Sequence, residues 1–375
     1  MKTRIPPLDL QAEFREIRSE LTKRISRVVT SGRYILGEEV KQFERNFARF
    51  VGTKYAVGVA SGSDALLLAL MALDVKRGDE VITTPFSFIA TATAIVRLGA
   101  KPVFVDIDPE TFNIDPDLIQ KKVTKRTRGV IIVHLYGNPC RMDQISNVAK
   151  KFGLFVIEDC AQACGATFRG KQVGSFGEFG TFSFYPTKTI GAMGDAGAVA
   201  TNNSKLHEKI KSLHLHGEDG KFHSYKHPLI GMNSRLDEIQ AAALNVKLKR
   251  LATWNKVRRK AAERYSRFIF KASLSDLQIP FETPGSKAVY HQYVVQTFAR
   301  ERLRSYLDNQ GISSSVYYPL PLHLQPCFRY LGYRQGDFPI AENACRKVLS
   351  LPLYPQIQPR VQAAVIDKIQ LFFKK

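Results

Sequence analysis

The chain has 375 residues, 44% of them hydrophobic and 24% charged, enough for two ordinary domains with a core that needs no covalent staple. No apolar run reaches the roughly 18–20 residues that span a bilayer, and the first ten residues lack the charged-then-apolar pattern of a secretory leader; no membrane insertion and a cytoplasmic setting are therefore expected. A net charge of +21 raises the question of nucleic acid. Its basic residues are dispersed, however, with modest clusters only at 121–128 and 256–260 and no aromatic-basic platform, so no nucleic-acid partner is expected.

Taken in chain order, short apolar runs alternate with helical periodicity from about Tyr55 to Thr201. The strand-like runs are 55–59, 80–83, 102–105, 129–134, 155–158 and 180–184. Between them, 64–73, 89–98 and 142–152 read as helices. This alternation predicts an α/β domain whose mainly parallel sheet is covered on both faces. Gly78, Gly99 and Gly153 stand where these helices should end. From Arg235 to about Phe268, Ala, Leu, Lys, Arg and Glu recur at helical spacing, predicting one or two long helices leaving the large domain. The remainder mixes a strand at 289–296 with a helix at 300–310, as in a smaller α+β domain. The expected division is 1–250 and 251–375.

Five cysteines, Cys140, Cys160, Cys164, Cys327 and Cys345, form no CxxC pair. Free thiols, and no metal site, are the expectation.

Four segments carry chemistry. In Ser183-Phe-Tyr-Pro-Thr-Lys188-Thr-Ile-Gly191-Ala-Met-Gly194-Asp-Ala-Gly197, a lysine follows a strand and enters a glycine-punctuated loop. A desolvated lysine amine can form an imine with an aldehyde, which is how pyridoxal phosphate is anchored. That cofactor also needs a buried carboxylate to keep its ring nitrogen protonated. Asp159 ends an apolar run and precedes Lys188 by 29 positions (188 − 159). A phosphate needs amide donors at a helix N-terminus, and Ala60-Ser-Gly62-Ser63-Asp offers a small-residue turn before a helix. Phe88, in Pro85-Phe-Ser-Phe88, has the ring to cover a pyridine face.

The order of these segments, together with Gly32-Arg-Tyr34-Ile-Leu-Gly37, His134-Leu-Tyr-Gly-Asn-Pro139, Gly231-Met-Asn233-Ser-Arg235-Leu-Asp-Glu, Tyr317-Tyr318-Pro-Leu-Pro-Leu-His323 and Leu349-Ser-Leu-Pro352, resembles the DegT/DnrJ/EryC1/StrS family of sugar aminotransferases. The resemblance covers nearly the whole chain. It implies an α/β architecture of the aspartate-aminotransferase type (PLP fold type I) and pyridoxal 5'-phosphate as cofactor, with pyridoxamine phosphate as its aminated form. Lys188 would hold the cofactor and move the proton, Asp159 would pair with the ring nitrogen, and Gln162 would lie near the ring. Gly62, Ser63 and Ser183 would bind the phosphate, and Phe88 would stack on the ring. Asn233 would reach the cofactor of a neighbouring subunit, making a homodimer with a shared site. Tyr34, Arg235, Tyr318 and His323 would face substrates.

The implied substrates are L-glutamate and a nucleotide-linked keto sugar. The stretch 214–227 and the following Ile230–Arg235 resemble family members acting on UDP-linked 3-keto-2-acetamido sugars; a 4-keto deoxysugar is the rival. Members that lack the lysine act as dehydratases, and this chain has Lys188. Thr189-Ile190 and Asn138-Pro-Cys-Arg141 depart from the commoner family residues and bear on substrate choice.

Overall fold

A computed structural model describes residues 4–219 and 225–374. Two helices come first: α1 (Leu10–Ser31), capped by Asp9 accepting from the Ala12 amide, and α2 (Glu38–Val51). The α/β region then runs β1 (Tyr55–Val59), α3 (Gly62–Ala72), β2 (Glu80–Thr83), α4 (Ala90–Arg97), β3 (Lys101–Phe104), α5 (Pro116–Ile119), β4 (Thr127–Val133), α6 (Met142–Phe152) and β5 (Phe155–Asp159). It continues with β6 (Thr167–Phe168), β7 (Lys171–Gln172), β8 (Phe179–Ser183), β9 (Gly197–Thr201) and α7 (Ser204–Leu213). Helix α8 (Glu238–Lys271) leads into β10 (Ser286–Lys287), β11 (Tyr293–Gln296), α9 (Arg300–Asn309), α10 (Pro339–Lys347), β12 (Val348–Leu351) and α11 (Pro359–Phe373).

The central sheet has the order β1-β9-β8-β5-β4-β2-β3. Strand β9 is antiparallel to both its neighbours, and the remaining pairs are parallel. Side chains alternate between two layers, as period-2 geometry requires. Ala56, Phe182, Ala198 and Ala200 pack with α2 and the first half of α8. Val57, Val59, Phe179 and Val199 pack with α3 and α7. Both faces are therefore covered, and the strands read as continuous apolar runs.

Six of the seven sheet strands fall within two residues of the sequence expectation at either end; β9 was not among the expected runs. Helices α1 and α2 were not among the expected elements. The expected long helix is a single one of 34 residues, about 50 Å at 1.5 Å per residue. It passes unbroken through residue 250. Its first half packs under the central sheet, while Ala261, Ala262, Tyr265 and Ile269 enter a second core with β11, α9, β12 and α11. Ile5 pairs with Ile312, so the N-terminal segment also lies on that second core. Gly78, Gly99 and Gly153 adopt positive φ. Among the described residues all five cysteines are free, four of them buried, and no helix is long and apolar enough to cross a membrane.

Candidate active site

Parallel strands point their C-terminal ends at one edge of the sheet, where α/β proteins bind ligands. Here β5 ends on Asp159, β8 on Ser183, and β1 leads directly into the turn Ser61–Ser63. A cavity of about 690 Å³ opens at this edge. Gly62, Ser63, Phe88, Asp159, Gln162, Ser183, Lys188 and Tyr318 all line it.

Asp159 lies on the inner wall. One carboxylate oxygen accepts from the Ala161 amide at 3.1 Å, the other from the Thr91 hydroxyl at 2.9 Å. Burial nevertheless raises its pKa, against the lowering effect of these donors and of Lys188. Burial lowers the Lys188 pKa, opposed by the charge of Asp159. The lysine and the carboxylate thus act on one another across the cavity. Gln162 is fixed at both ends: its Oε1 accepts from the Tyr136 amide at 2.6 Å, and its Nε2 donates to the Tyr318 hydroxyl at 3.1 Å. The Phe88 ring is exposed and stands 6.3 Å from that of Tyr318.

Ser61 caps α3 by accepting from the Asp64 amide at 3.1 Å. The first amides of a helix have no partner within it, and those of Gly62 and Ser63 border the cavity. Gly62 sits so close to β8 that a Cβ would lie 2.6 Å from Ser183 Cβ. A side chain there would push the turn off the strand and widen the cup between the helix terminus and Ser183.

Four sequence-selected residues are not on the cavity wall. Asn233 is exposed and bridges to Leu215. Arg235 is half-buried, and its Nε has no hydrogen-bond partner. Tyr34 is exposed on the link between α1 and α2, its hydroxyl donating to Val29 O at 3.4 Å. His323, expected at the cleft, is instead buried, with Nε2 3.1 Å from Glu342 Oε1 and its ring against Phe338. The short helical turn Leu322–Leu324 points it towards α10 rather than the cavity. Part of the stretch used to select the sugar, residues 220–224, lies outside the described residues.

Thr91, His291 and Gln292 are among the residues of the site that had no role from sequence. Thr91 reaches Asp159 across 68 positions and is itself 3.0 Å from Ser87 Oγ. His291 and Gln292 line the cavity where the chain enters β11; burial, then the charges of Lys188 and Arg258, push the His291 pKa well down. A His-Gln pair at the start of an expected strand is the only signal the sequence offered.

A second polar cluster lies close by. Ligand atoms of His134, Glu158 and Cys160 fall within 4.8 Å of one another. Glu158 already accepts from the amides of Gly174, Phe176 and Gly177 at 2.7–2.9 Å and from His134 Nε2 at 3.1 Å. His134 Nδ1 accepts from the Cys140 amide, so Nε2 bears the proton. Burial pushes the Cys160 thiol up, away from the thiolate that binds metal. The cluster is a saturated hydrogen-bond network.

The residues fit pyridoxal phosphate. The amine of Lys188 has no hydrogen-bond or ion-pair partner among the described residues, burial raises the pKa of the Asp159 carboxyl in spite of its two donors and of Lys188, and the α3 terminus with Ser183 offers an anion cup. A model of the DegT/DnrJ/EryC1/StrS aminotransferase family matches residues 15–370. The chain belongs to this family. It is an aminotransferase, and its cofactor is pyridoxal phosphate. Over 99% of both chains it is 47% identical to the "Pleiotropic regulatory protein" of Geobacillus stearothermophilus. It is 42% identical, over 98% of both chains, to the UDP-N-acetyl-3-dehydro-alpha-D-glucosamine 3-aminotransferase of Acidithiobacillus ferrooxidans. The structure of S. venezuelae DesV in complex with a ketimine intermediate superposes with a TM-score of 0.96 over the whole of both chains, at 41% identity.

Proposed function

We propose that this aminotransferase moves the amino group of L-glutamate to the C3 ketone of a UDP-linked 2-acetamido sugar, giving 2-oxoglutarate and the 3-amino sugar. The observation that carries the reading is the pairing of Lys188 and Asp159 within one large cavity. The 42% identical 3-aminotransferase supports the sugar and the position. A cavity of about 690 Å³ is of ordinary size for a cofactor with a substrate at its open side.

Pyridoxal phosphate, when bound, supplies a carbonyl that exchanges amines and a ring that accepts the electron pair left on the substrate carbon. The protein's part follows from the geometry. Lys188 Nζ holds the cofactor and, once released, removes the proton from the donor's α-carbon. Its depressed pKa favours the neutral amine that this step needs. In the second half-reaction the same nitrogen returns a proton, this time to the sugar carbon. Asp159 would pair with the ring nitrogen of the bound cofactor and favour its protonated form. Gly62, Ser63 and Ser183 would hold the phosphate, and Phe88 would cover the ring.

The site is completed by a second copy of the chain. Exposed Asn233, the unpartnered Arg235 Nε, and the exposed apolar residues Tyr34, Ile35, Leu36, Tyr185 and Met193 support this assembly. Mixing Lys188→Ala and Asn233→Ala chains tests it: regained activity in the mixture is expected, and a monomer by light scattering would refute sharing.

The decisive experiment for the reaction supplies paired 3-keto and 4-keto nucleotide sugars with L-glutamate and identifies the product by mass and position. A 3-amino product is expected. Amination only at C4 overturns the sugar assignment, and loss of water without amination overturns transamination.

A further inference from the structure

Behind the loop that carries Lys188 lies a buried ion pair with no part in the chemistry described so far. Gln240 and Lys247 are seven residues apart on α8, two turns, and so share a face. Both reach the segment 186–194. The Met193 amide donates to Gln240 Oε1 at 2.7 Å, and Lys247 Nζ donates to Gly191 O at 2.6 Å. The same ammonium stands 2.6 Å from Glu13 Oε1 on α1, each side chain only 7% exposed.

Such a pair is a poor choice for stability alone. Withdrawing two charges from water costs several kcal/mol per ion, and well-packed apolar residues of similar volume are often as stable or more so. What an ion pair adds is a fixed position. Here the second partner of the ammonium is a backbone carbonyl of the lysine loop.

That loop is folded tightly enough to transmit a displacement. A Cβ on Gly191 would lie 2.2 Å from Pro186 O, so the two sides of the loop touch. Lys188 lies between them, its amide donating to Tyr185 O at 2.8 Å, and the Ala192 amide closes the base on Phe184 O at 2.7 Å. Gly191 is three residues from Lys188 and cannot move independently of it.

We propose that Lys247, held by Glu13, is a positioning residue: through the Gly191 carbonyl it fixes the loop so that the Lys188 amine stands at the reacting atoms. This rests on Lys188 being the catalytic lysine. Because α8 also runs into the second core, it ties the loop to both halves of the molecule.

The test uses Lys247→Met, the double variant Glu13→Gln/Lys247→Met, which leaves no lone buried charge, and Lys247→Arg, which keeps a donor. Hydrogen exchange is read on the cofactor-free protein, and kinetics on the loaded enzyme well below its melting temperature. In the double variant, amides of 187–194 should exchange roughly tenfold faster or more while those of α1 and α8 stay protected. The kcat should fall about 10–100-fold, the scale expected for a reacting group displaced by a fraction of an ångström to one ångström, with KM for both substrates held within about twofold. Lys247→Arg should recover most of both effects. Unchanged loop exchange, exchange that rises equally along α1 and α8 with kcat retained, or an arginine variant no better than methionine would overturn the proposal. Turnover retained by Lys188→Ala would instead overturn the catalytic assignment, while exchange on the cofactor-free protein still decides whether Lys247 orders the loop.

Discussion

Two adjacent carboxylates at the end of β5 face opposite sides of the sheet and live in opposite conditions. On the packed side, Glu158 accepts four hydrogen bonds, three from backbone amides and one from His134. On the cavity side, Asp159 accepts two and keeps the rest of its capacity directed at the cavity. Both are buried. A carboxylate saturated by its own chain has nothing left to offer a ligand; one left short of donors and raised in pKa by burial is completed by a cation brought from outside. The difference separates an acid satisfied by its own chain from one open to the cavity where the sequence shows only Glu-Asp.

The comparison can be broken at its functional side first. Lys188→Ala should abolish turnover and remove the visible absorption of the lysine-bound cofactor, as read on purified protein with added pyridoxal phosphate. Next in size, Asp159→Asn should lower kcat by about 10²–10³, the scale for removing one electrostatic partner of a developing charge. The cofactor-free Asp159→Asn protein should melt no lower than the parent, because a buried carboxylate whose charge is disfavoured by desolvation has been replaced by a neutral group, and the Thr91 hydroxyl can turn to accept from the new amide. A melting temperature lowered as much as by the equivalent change at Glu158 would erase the distinction between the two faces.

How much of this was legible depended on whether the signal was local. Asp159 ends its own strand and Lys188 opens its own glycine loop, so residue type and order sufficed to single them out, and the structure puts both on the wall of one cavity. The sheet was legible for the same reason, since strands buried on both faces are continuous apolar runs. Thr91 was not, because its role exists only once α4 is packed against β5. His323 was misplaced because the sequence puts it beside Tyr318, whereas the turn at 322–324 sends the two side chains in different directions. The buried Glu13–Lys247 pair was hidden in a different way: on a helix drawn from sequence, both residues belong to a charged surface pattern. The boundary expected at residue 250 falls inside α8, which the periodicity alone could have carried through either domain.

The structural side of the comparison predicts smaller effects. Glu158→Gln turns an amide NH₂ towards groups that themselves donate, so at least one of the Gly174, Phe176, Gly177 or His134 donors is left unpaired. A loss of about 2–3 kcal/mol in urea unfolding is expected, with kcat of the folded enzyme little changed.

Smallest of all is the effect of a third carboxyl, Glu44, half-buried against β1, accepting a bond from the Gly58 amide at 2.8 Å and with its pKa pushed up to about 7, chiefly by desolvation. Between the unfolded value near 4.5 and about 7, the folded chain binds the proton that the unfolded chain has released. This group therefore favours folding most at the acid end of that window, and its contribution is lost as pH rises through about 7. Glu44→Gln keeps the bond to Gly58 without the ionisation. It should flatten the pH dependence of stability between about 5 and 7 and stabilise the protein by about 1–2 kcal/mol at pH 8, given roughly 1.4 kcal/mol per pKa unit and a discount for solvent screening of a half-buried side chain. Urea midpoints at pH 5 and pH 8 decide it: an unchanged difference between the two pH values would mean that Glu44 is better paired than Asp159, and that a shortage of donors does not by itself separate the acid at the cavity from the others in the core.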